Sequence, residues 1–207
     1  MQEKLDRIRI YARENKIPIM QEEGINYLCD YIKKHRIYNI LEIGTAIGYS
    51  SIRMALTGEK VKITTLEKDT NRYNEAIYNI KDLKLKRKIN AINIDALDYE
   101  DNNKYDLIFI DAAKSKNTVF FEKFSHNLKE NGVIVTDNLS FHGLVENSSL
   151  IKTKNQEGIV RKIKEYIDFL DNNQEFITTY VNVGDRISIS KRKRDGSLSN
   201  SVGEQKV

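Results

Sequence analysis

Two short apolar runs in this chain end in the same chemistry, and they constrain its fold more than any other feature. Tyr105-Asp106-Leu107-Ile108-Phe109-Ile110 leads into Asp111, and Gly132-Val133-Ile134-Val135-Thr136 leads into Asp137-Asn138. Runs of this length and character read as strands of a parallel sheet covered on both faces. In an open α/β sheet, ligands bind outside the carboxyl ends of the strands. Neighbouring strands lie about 4.8 Å apart, so adjacency of these two would make Asp111, Asp137 and Asn138 converge. Two carboxylates that close repel unless a proton or a cation lies between them. An all-oxygen trio suits a hard divalent cation such as Mg²⁺, with water or substrate completing the coordination.

A glycine-bearing turn upstream narrows the ligand. Asn39-Ile40-Leu41-Glu42-Ile43-Gly44-Thr45-Ala46-Ile47-Gly48-Tyr49-Ser50 reads as a strand with one acid, a turn, and a helix starting near Ser50. The dinucleotide fingerprint needs G-x-G-x-x-G. Here Ala46 occupies the middle position, so no tight pyrophosphate-cradling turn is implied, and no Gly-Lys-Ser/Thr follows to make a P-loop. Glu42 lies inside the strand, directed toward the loop, where it can accept a hydrogen bond from a bound ammonium or a backbone amide. A second predicted strand, 61–66, ends at Glu67, a position from which an acid binds both hydroxyls of a ribose. A third, 89–94, ends at Asp95-Ala96, where an adenine amino group can be read. Acids at successive strands without a phosphate cradle describe a nucleoside ligand, and S-adenosylmethionine fits. A strand-terminal Asp can also simply cap the next helix, but capping alone would as readily supply Ser, Thr or Asn.

Length and charge agree with a single enzyme domain. A chain of 207 residues has room for one α/β domain with a full core. No apolar run approaches the roughly 20 residues that span a bilayer, and the mixed charges of Met1-Gln2-Glu3-Lys4-Leu5-Asp6-Arg7 lead into no signal-like stretch. The expected location is cytoplasmic. The single cysteine, Cys29, excludes an intramolecular disulfide, disfavours a cysteine-based zinc site, and reads as a buried apolar residue of a helix. Of the net charge of +4, the stretch 191–207 supplies a surplus of three, from Lys191, Arg192, Lys193, Arg194 and Lys206 against Asp195 and Glu204. The remaining body is near neutral and gives no global support for nucleic-acid binding. Two local clusters stand out. Lys81, Lys84, Lys86, Arg87 and Lys88 read as the close of a helix, where cations complement the macrodipole. Lys152, Lys154, Arg161, Lys162 and Lys164 follow the strand that delivers Asp137 and are better placed for phosphate.

Hydrophobic periodicity predicts helices over 2–15, 21–34, 50–56, 70–83, 115–128 and 156–172, with Pro18 breaking the chain between the first two. A polar, aperiodic loop is predicted over 140–154. Two alternating strands, 176–183 and 186–191, read as a hairpin joined at Gly184-Asp185. The predicted domain covers 1–193, opening with a helical segment over 1–36, and the unpatterned residues 194–207 read as a disordered tail.

Leu41-Glu42-Ile43-Gly44-Thr45-Ala46-Ile47-Gly48-Tyr49-Ser50, Phe109-Ile110-Asp111-Ala112-Ala113-Lys114 and Val135-Thr136-Asp137-Asn138 resemble the cation-dependent O-methyltransferase family. That family includes the catechol and caffeoyl-CoA enzymes. The similarity runs from Ile17-Pro18-Ile19-Met20 to Ile189-Ser190, and the tail after Lys193 has no counterpart in it. Within the family the chain is most similar to the bacterial enzymes that methylate 5-hydroxyuridine in tRNA. The segments carrying this are Pro18-Ile19-Met20-Gln21, the turn from Gly44 to Ser50, Asp137-Asn138 with Phe141-His142-Gly143-Leu144-Val145, and Val183-Gly184-Asp185.

The resemblance implies a Rossmann-like, class I methyltransferase α/β fold. Its sheet would have seven mostly parallel strands, the last antiparallel, with helices on both faces. It implies Asp111, Asp137 and Asn138 as metal ligands, and S-adenosylmethionine contacts at Met20, Ser50, Glu67, Asp95, Ala96 and Asp111, to which the glycine turn adds Glu42 and Gly44. A homodimer is also implied. Lys114 lies where the catechol enzymes carry their proposed base, although a lysine there could simply open a helix at the surface. The expected reaction is conversion of 5-hydroxyuridine to 5-methoxyuridine at a tRNA wobble position, with the O4 and O5 oxygens chelating Mg²⁺. Lys152, Lys154 and Arg161 are the expected tRNA anticodon-loop contacts. A small catechol-like diol is the alternative substrate, because it too presents vicinal oxygens. A binding protein without turnover is disfavoured by the intact trio, and a nicotinamide dehydrogenase by the missing third glycine.

Overall fold

Side chains along the run 105–110 alternate between two cores. Leu107 and Phe109 enter one, Ile108 and Ile110 the other, so both faces of this strand are covered. The computed structural model describes residues 1–194. Its elements are α1 (Gln2–Glu14), α2 (Glu22–Lys34), β1 (Asn39–Ile43), α3 (Tyr49–Ala55), β2 (Lys62–Glu67), α4 (Thr70–Asp82), β3 (Ile89–Asn93), β4 (Tyr105–Ile110), α5 (Asn117–Ser125), β5 (Leu128–Thr136), α6 (Lys154–Asp171), β6 (Phe176–Val181) and β7 (Ile187–Arg192). Of the tail predicted over 194–207, all but Arg194 lies outside the described residues.

The seven strands form one sheet in the order β3-β2-β1-β4-β5-β7-β6. Strands β1 to β5 pair in parallel, and β7 runs antiparallel to both β5 and β6. The chain winds outward from β1 to β3, then returns to the centre with β4 beside β1. Their carboxyl ends are therefore the switch point, where a crevice opens. Helices α1 to α4 contribute Leu5, Ile25, Ile52 and Ile80 to one core. Helices α5 and α6 contribute Phe121, Phe124, Ile163 and Tyr166 to the other. Cys29 is buried on α2, as its apolar surroundings led one to expect. No helix among the described residues is long and apolar enough to cross a membrane.

Predicted boundaries move in α5, β5 and α6, each for a local reason. The helix expected over 115–128 is a 3₁₀ turn at Lys114–Lys116 followed by α5, which ends at Ser125. Asn127 stops it, closing a turn onto the Phe124 carbonyl while its side chain donates to the carbonyls of Asp101 and Asn103. Leu128 then enters β5, four residues before the predicted start. Gly132 sits in a close approach inside that strand, where a Cβ would lie 2.8 Å from Leu128 Cδ1 and 3.1 Å from the Asp106 carbonyl oxygen. Helix α6 begins at Lys154, two residues early, on a capping box. Thr153 Oγ1 accepts from the Gln156 amide at 3.2 Å while the Gln156 side chain accepts from the Thr153 amide at 3.1 Å. The segment predicted as a polar loop also buries Leu144 and Val145 against the second core.

Candidate active site

The crevice between β1 and β4 is built by a close backbone approach. The Asp111 amide donates to the Ile43 carbonyl at 2.9 Å. A Cβ at Gly44 would fall 2.1 Å from the Asp111 carbonyl oxygen, and Gly44 adopts φ +103°, so only glycine fits. The turn then passes Ala46 at φ 46° and Gly48 at φ 85°. Glu67, at the end of β2, clamps that turn: its Oε2 accepts from the Ala46 amide at 2.8 Å and its Oε1 from the Asp69 amide at 2.9 Å. The predicted ribose ligand is thus also the residue that shapes the loop.

Glu42 differs from its predicted surroundings. It is fully buried, and its donors are the hydroxyls of Ser50 at 2.5 Å, Thr65 at 2.6 Å and Ser51, where a backbone amide or ligand ammonium was expected. Burial pushes its carboxyl up to about 7, against the pull of the three hydroxyls and with a further push from the Asp111 charge. Ser50 is correspondingly turned inward and nearly buried. Met20 is buried and packs beside Gly24, where a Cβ would meet its Cε at 3.1 Å. At the end of β3, Asp95 accepts from the Leu97 amide at 3.0 Å and Ala96 is buried beside it.

The three residues expected to hold a metal lie at the next two strand ends. Ile110 and Thr136 are register partners, so Asp111 and Asp137 follow side by side. Asp137 is 1% exposed, and among the described residues neither of its carboxylate oxygens makes a well-formed hydrogen bond. Burial raises its carboxyl well above the usual carboxylate range, with the charge of Asp111 adding to that. Asn138, at φ 63°, donates through Nδ2 to Asp185 Oδ2 at 3.3 Å, so its amide oxygen is not engaged by that contact. Lys114 Nζ donates to Asp111 Oδ1 at 3.2 Å. A buried, unpartnered carboxylate next to a second carboxylate fits a divalent cation. The donor set is two carboxylates and an amide, and among the described residues no cluster of three His, Cys, Asp or Glu side chains is placed to hold a metal.

Two groups were not singled out from the sequence. Asp185, read as a hairpin turn, is 3% exposed and accepts from the His142 amide at 2.6 Å as well as from Asn138. It therefore pins the loop after β5 and orients a predicted metal ligand. Arg53 on α3 ties α2 to the glycine turn: its Nη1 donates to Glu22 and to Tyr49 Oη, both at 2.8 Å, and Tyr49 donates to Glu22 at 2.8 Å. A buried Asp in a turn and a charged pair between distant segments leave no periodic signal.

Lys152, Lys154 and Arg161 are all exposed, and Arg161 lies 3.7 Å from Glu165. Helix α6, which carries two of them, packs on the Lys114–Lys116 turn. No hydrogen bond or ion pair among the described residues joins these three to Asp111, Asp137 or Asn138.

The model of the O-methyltransferase family matches residues 1–193. The chain belongs to this family. The O-methyltransferase is 25% identical to a caffeoyl-CoA O-methyltransferase of Populus kitakamiensis over 191 residues, covering 88% of this chain and 81% of that one. It is 27% identical to a catechol O-methyltransferase of Mycobacterium tuberculosis over 128 residues, 60% of this chain and 58% of the other. Among solved structures, a Staphylococcus aureus protein provisionally assigned as a caffeoyl-CoA O-methyltransferase superposes with TM-score 0.87 at 31% identity, over 91% of this chain and 92% of that one. A Bacillus cereus O-methyltransferase, solved with S-adenosylhomocysteine, shares the fold with TM-score 0.78 at 23% identity, over 92% of this chain and 91% of that one.

Proposed function

We propose that this O-methyltransferase transfers the methyl group of S-adenosylmethionine to a hydroxyl of a substrate bearing two adjacent oxygens, namely 5-hydroxyuridine at the wobble position of a tRNA. Asp111, Asp137 and Asn138 would hold Mg²⁺. The observation that carries this reading is Asp137, buried with both oxygens unpartnered beside Asp111. A carboxylate in that state is costly unless a cation meets it. The Glu67-clamped glycine turn at the switch point is the matching nucleoside site.

S-adenosylmethionine supplies an electrophilic methyl carbon, and a divalent cation lowers the pKa of a hydroxyl bound to it. The chain's own residues supply alignment and proton handling. The Asp111 backbone lies across Gly44 and its side chain faces Lys114, so one residue joins the cofactor turn to the substrate side. Lys114, as the neutral amine, would take the hydroxyl proton as the new O–C bond forms and the S–C bond breaks, with S-adenosylhomocysteine leaving. Asp185 holds Asn138 and the His142 amide, which ties the loop after β5 at two points beside the site.

The names of the relatives favour a second reading, a small catechol-like diol. Lys152, Lys154 and Arg161 separate the two, since phosphate contacts dominate RNA affinity. Replacing all three by Ala is expected to depress methylation of hypomodified tRNA while sparing a free-nucleoside or catechol assay. Equal loss in both assays would remove these residues from tRNA binding. Mass spectrometry of tRNA nucleosides from a strain lacking the gene should show loss of 5-methoxyuridine, and an unchanged level would overturn the tRNA assignment.

A further inference from the structure

At the end of the sheet away from the crevice, a cavity of about 470 Å³ opens at the amino ends of β1, β2, β3 and β4. Its lining carries six cations, Lys62, Lys86, Arg87, Lys88, Lys104 and Lys129, and no Asp or Glu. They come from four separate stretches of chain, so a single basic run in the sequence does not account for the concentration. Of the basic cluster read as the close of a helix, only Lys81 lies in the last turn of α4. Lys86, Arg87 and Lys88 lie beyond it and turn to this cavity.

Three of the six are fixed on backbone carbonyls. Lys62 Nζ donates to Arg87 at 2.7 Å, Lys88 Nζ to Ala55 at 3.1 Å and Gly58 at 2.9 Å, and Lys104 Nζ to His126 at 2.6 Å. A carbonyl holds an ammonium in place without cancelling its charge. Only Lys129 meets a carboxylate, Asp106, at 2.8 Å. Lys86 and Arg87 are exposed, and no hydrogen bond or ion pair of their side chains is found among the described residues. Among the described residues, five positive charges without a carboxylate partner thus line one concave site in a chain whose body is nearly neutral. Like charges so gathered repel unless an anion joins them.

We infer that this cavity is a phosphate-binding site for a small polyphosphate or for the phosphodiester backbone of RNA. The planar fork of Arg87 and the fixed ammoniums around it suit phosphate oxygens. The volume accommodates more than one phosphate group. Strands of five or six residues separate this site from Asp111 and Asp137 by roughly 17–20 Å, so its occupant does not touch the methyl-transfer groups.

The test uses the full chain and three forms of it: wild type, Lys86→Ala/Arg87→Ala, and Lys33→Ala/Lys34→Ala, which removes the same charge from α2. Sodium tripolyphosphate is titrated by calorimetry, and a labelled oligouridine by fluorescence anisotropy at several salt concentrations. Binding of either probe to wild type, weakened at least tenfold in Lys86→Ala/Arg87→Ala and unchanged in the α2 control, supports the site. Tripolyphosphate alone would name a small polyanion, and oligouridine alone an RNA backbone. For RNA, the slope of log K against log salt should shrink by about 1.4, or about 0.7 for each of two lost phosphate contacts. No binding to wild type, or equal weakening in both double variants, would overturn the inference. Methyl transfer to a small diol is followed in parallel, and its presence or absence bears on the reaction alone.

Discussion

Replacing Asp137 by Asn should stabilise the protein without a divalent cation while abolishing its methyl transfer. Asp137 is 1% exposed and its two oxygens have no partner, so at pH 8 the fold carries a buried charge beside the charge of Asp111. The Asn amide would also lack partners, and the gain is the difference between burying a charge and burying a dipole. An unsatisfied buried group costs about 1–3 kcal/mol, more when charged. For a chain of this size each kcal/mol moves Tm by about 2–4 °C, so Asp137→Asn should melt a few degrees above wild type. Saturating Mg²⁺ reverses the order, since a ligand at 100 times its Kd adds about 2.7 kcal/mol to the form that binds it. The pH dependence follows from the raised carboxyl of Asp137. A group whose folded pKa lies above its unfolded value stabilises fully below the unfolded value, and loses that contribution as pH rises through the folded one. The variant's advantage should therefore be small near pH 4 and grow toward pH 8. Differential scanning calorimetry at both pH values, with EDTA and with Mg²⁺, reads all of this. An Asp137→Asn protein that melts below wild type in EDTA, or that gains as much from Mg²⁺, would refute the reasoning.

Glu67→Ala removes the acceptor of two backbone amides and of the proposed ribose hydroxyls. Charge-assisted hydrogen bonds are worth about 1.5–3 kcal/mol each, so affinity for S-adenosylmethionine should drop at least about tenfold by calorimetry, and an unchanged value would take Glu67 out of the site. Glu42→Gln should flatten the fall in stability between pH 5 and 8. The rise of the Glu42 carboxyl from 4.5 to about 7 corresponds to about 3 kcal/mol, present below the lower value and lost as pH passes the upper one. Equal pH slopes for the two proteins would count against a titrating Glu42. Arg53→Met leaves Glu22 and Tyr49 without their shared donor. Melting should fall by the equivalent of about 1.5–3 kcal/mol, and a variant as stable as wild type would show that α2 is held by apolar packing alone.

The fold was legible because its signals are local and periodic. Short strand-like runs located β1, β2, β3 and β4, and hydrophobic periodicity placed α1, α2 and α4 to within a residue at each end. The side-by-side placement of Asp111 and Asp137 was legible for a related reason, since the end of a parallel strand fixes where the next side chain stands, and two adjacent strands fix a pair. What was not legible depends on partners distant in sequence. Gly132 marks a close approach to Leu128 inside β5, and without its partner it read as the start of the strand. Thr153 and Gln156 did carry a local signature, the capping box, and reading it would have placed the start of α6 correctly.

Asp185 shows why a site can be half visible. Its neighbours Val183 and Gly184 carry the marks of an exposed turn, and Gly184 adopts φ +56° beside the backbone of Gly24. Nothing in that pattern says that the next side chain points inward. The inward turn follows from the other side of the site, where Asn138 and His142 adopt left-handed backbone angles of 63° and 58°. Those angles aim the His142 amide and the Asn138 side chain at one acceptor, and Asp185 supplies it with both oxygens. Strain in one loop and burial of a carboxylate in another are each unfavourable alone, and each is offset by the other. The sequence of either loop, taken alone, contains only half of that interaction.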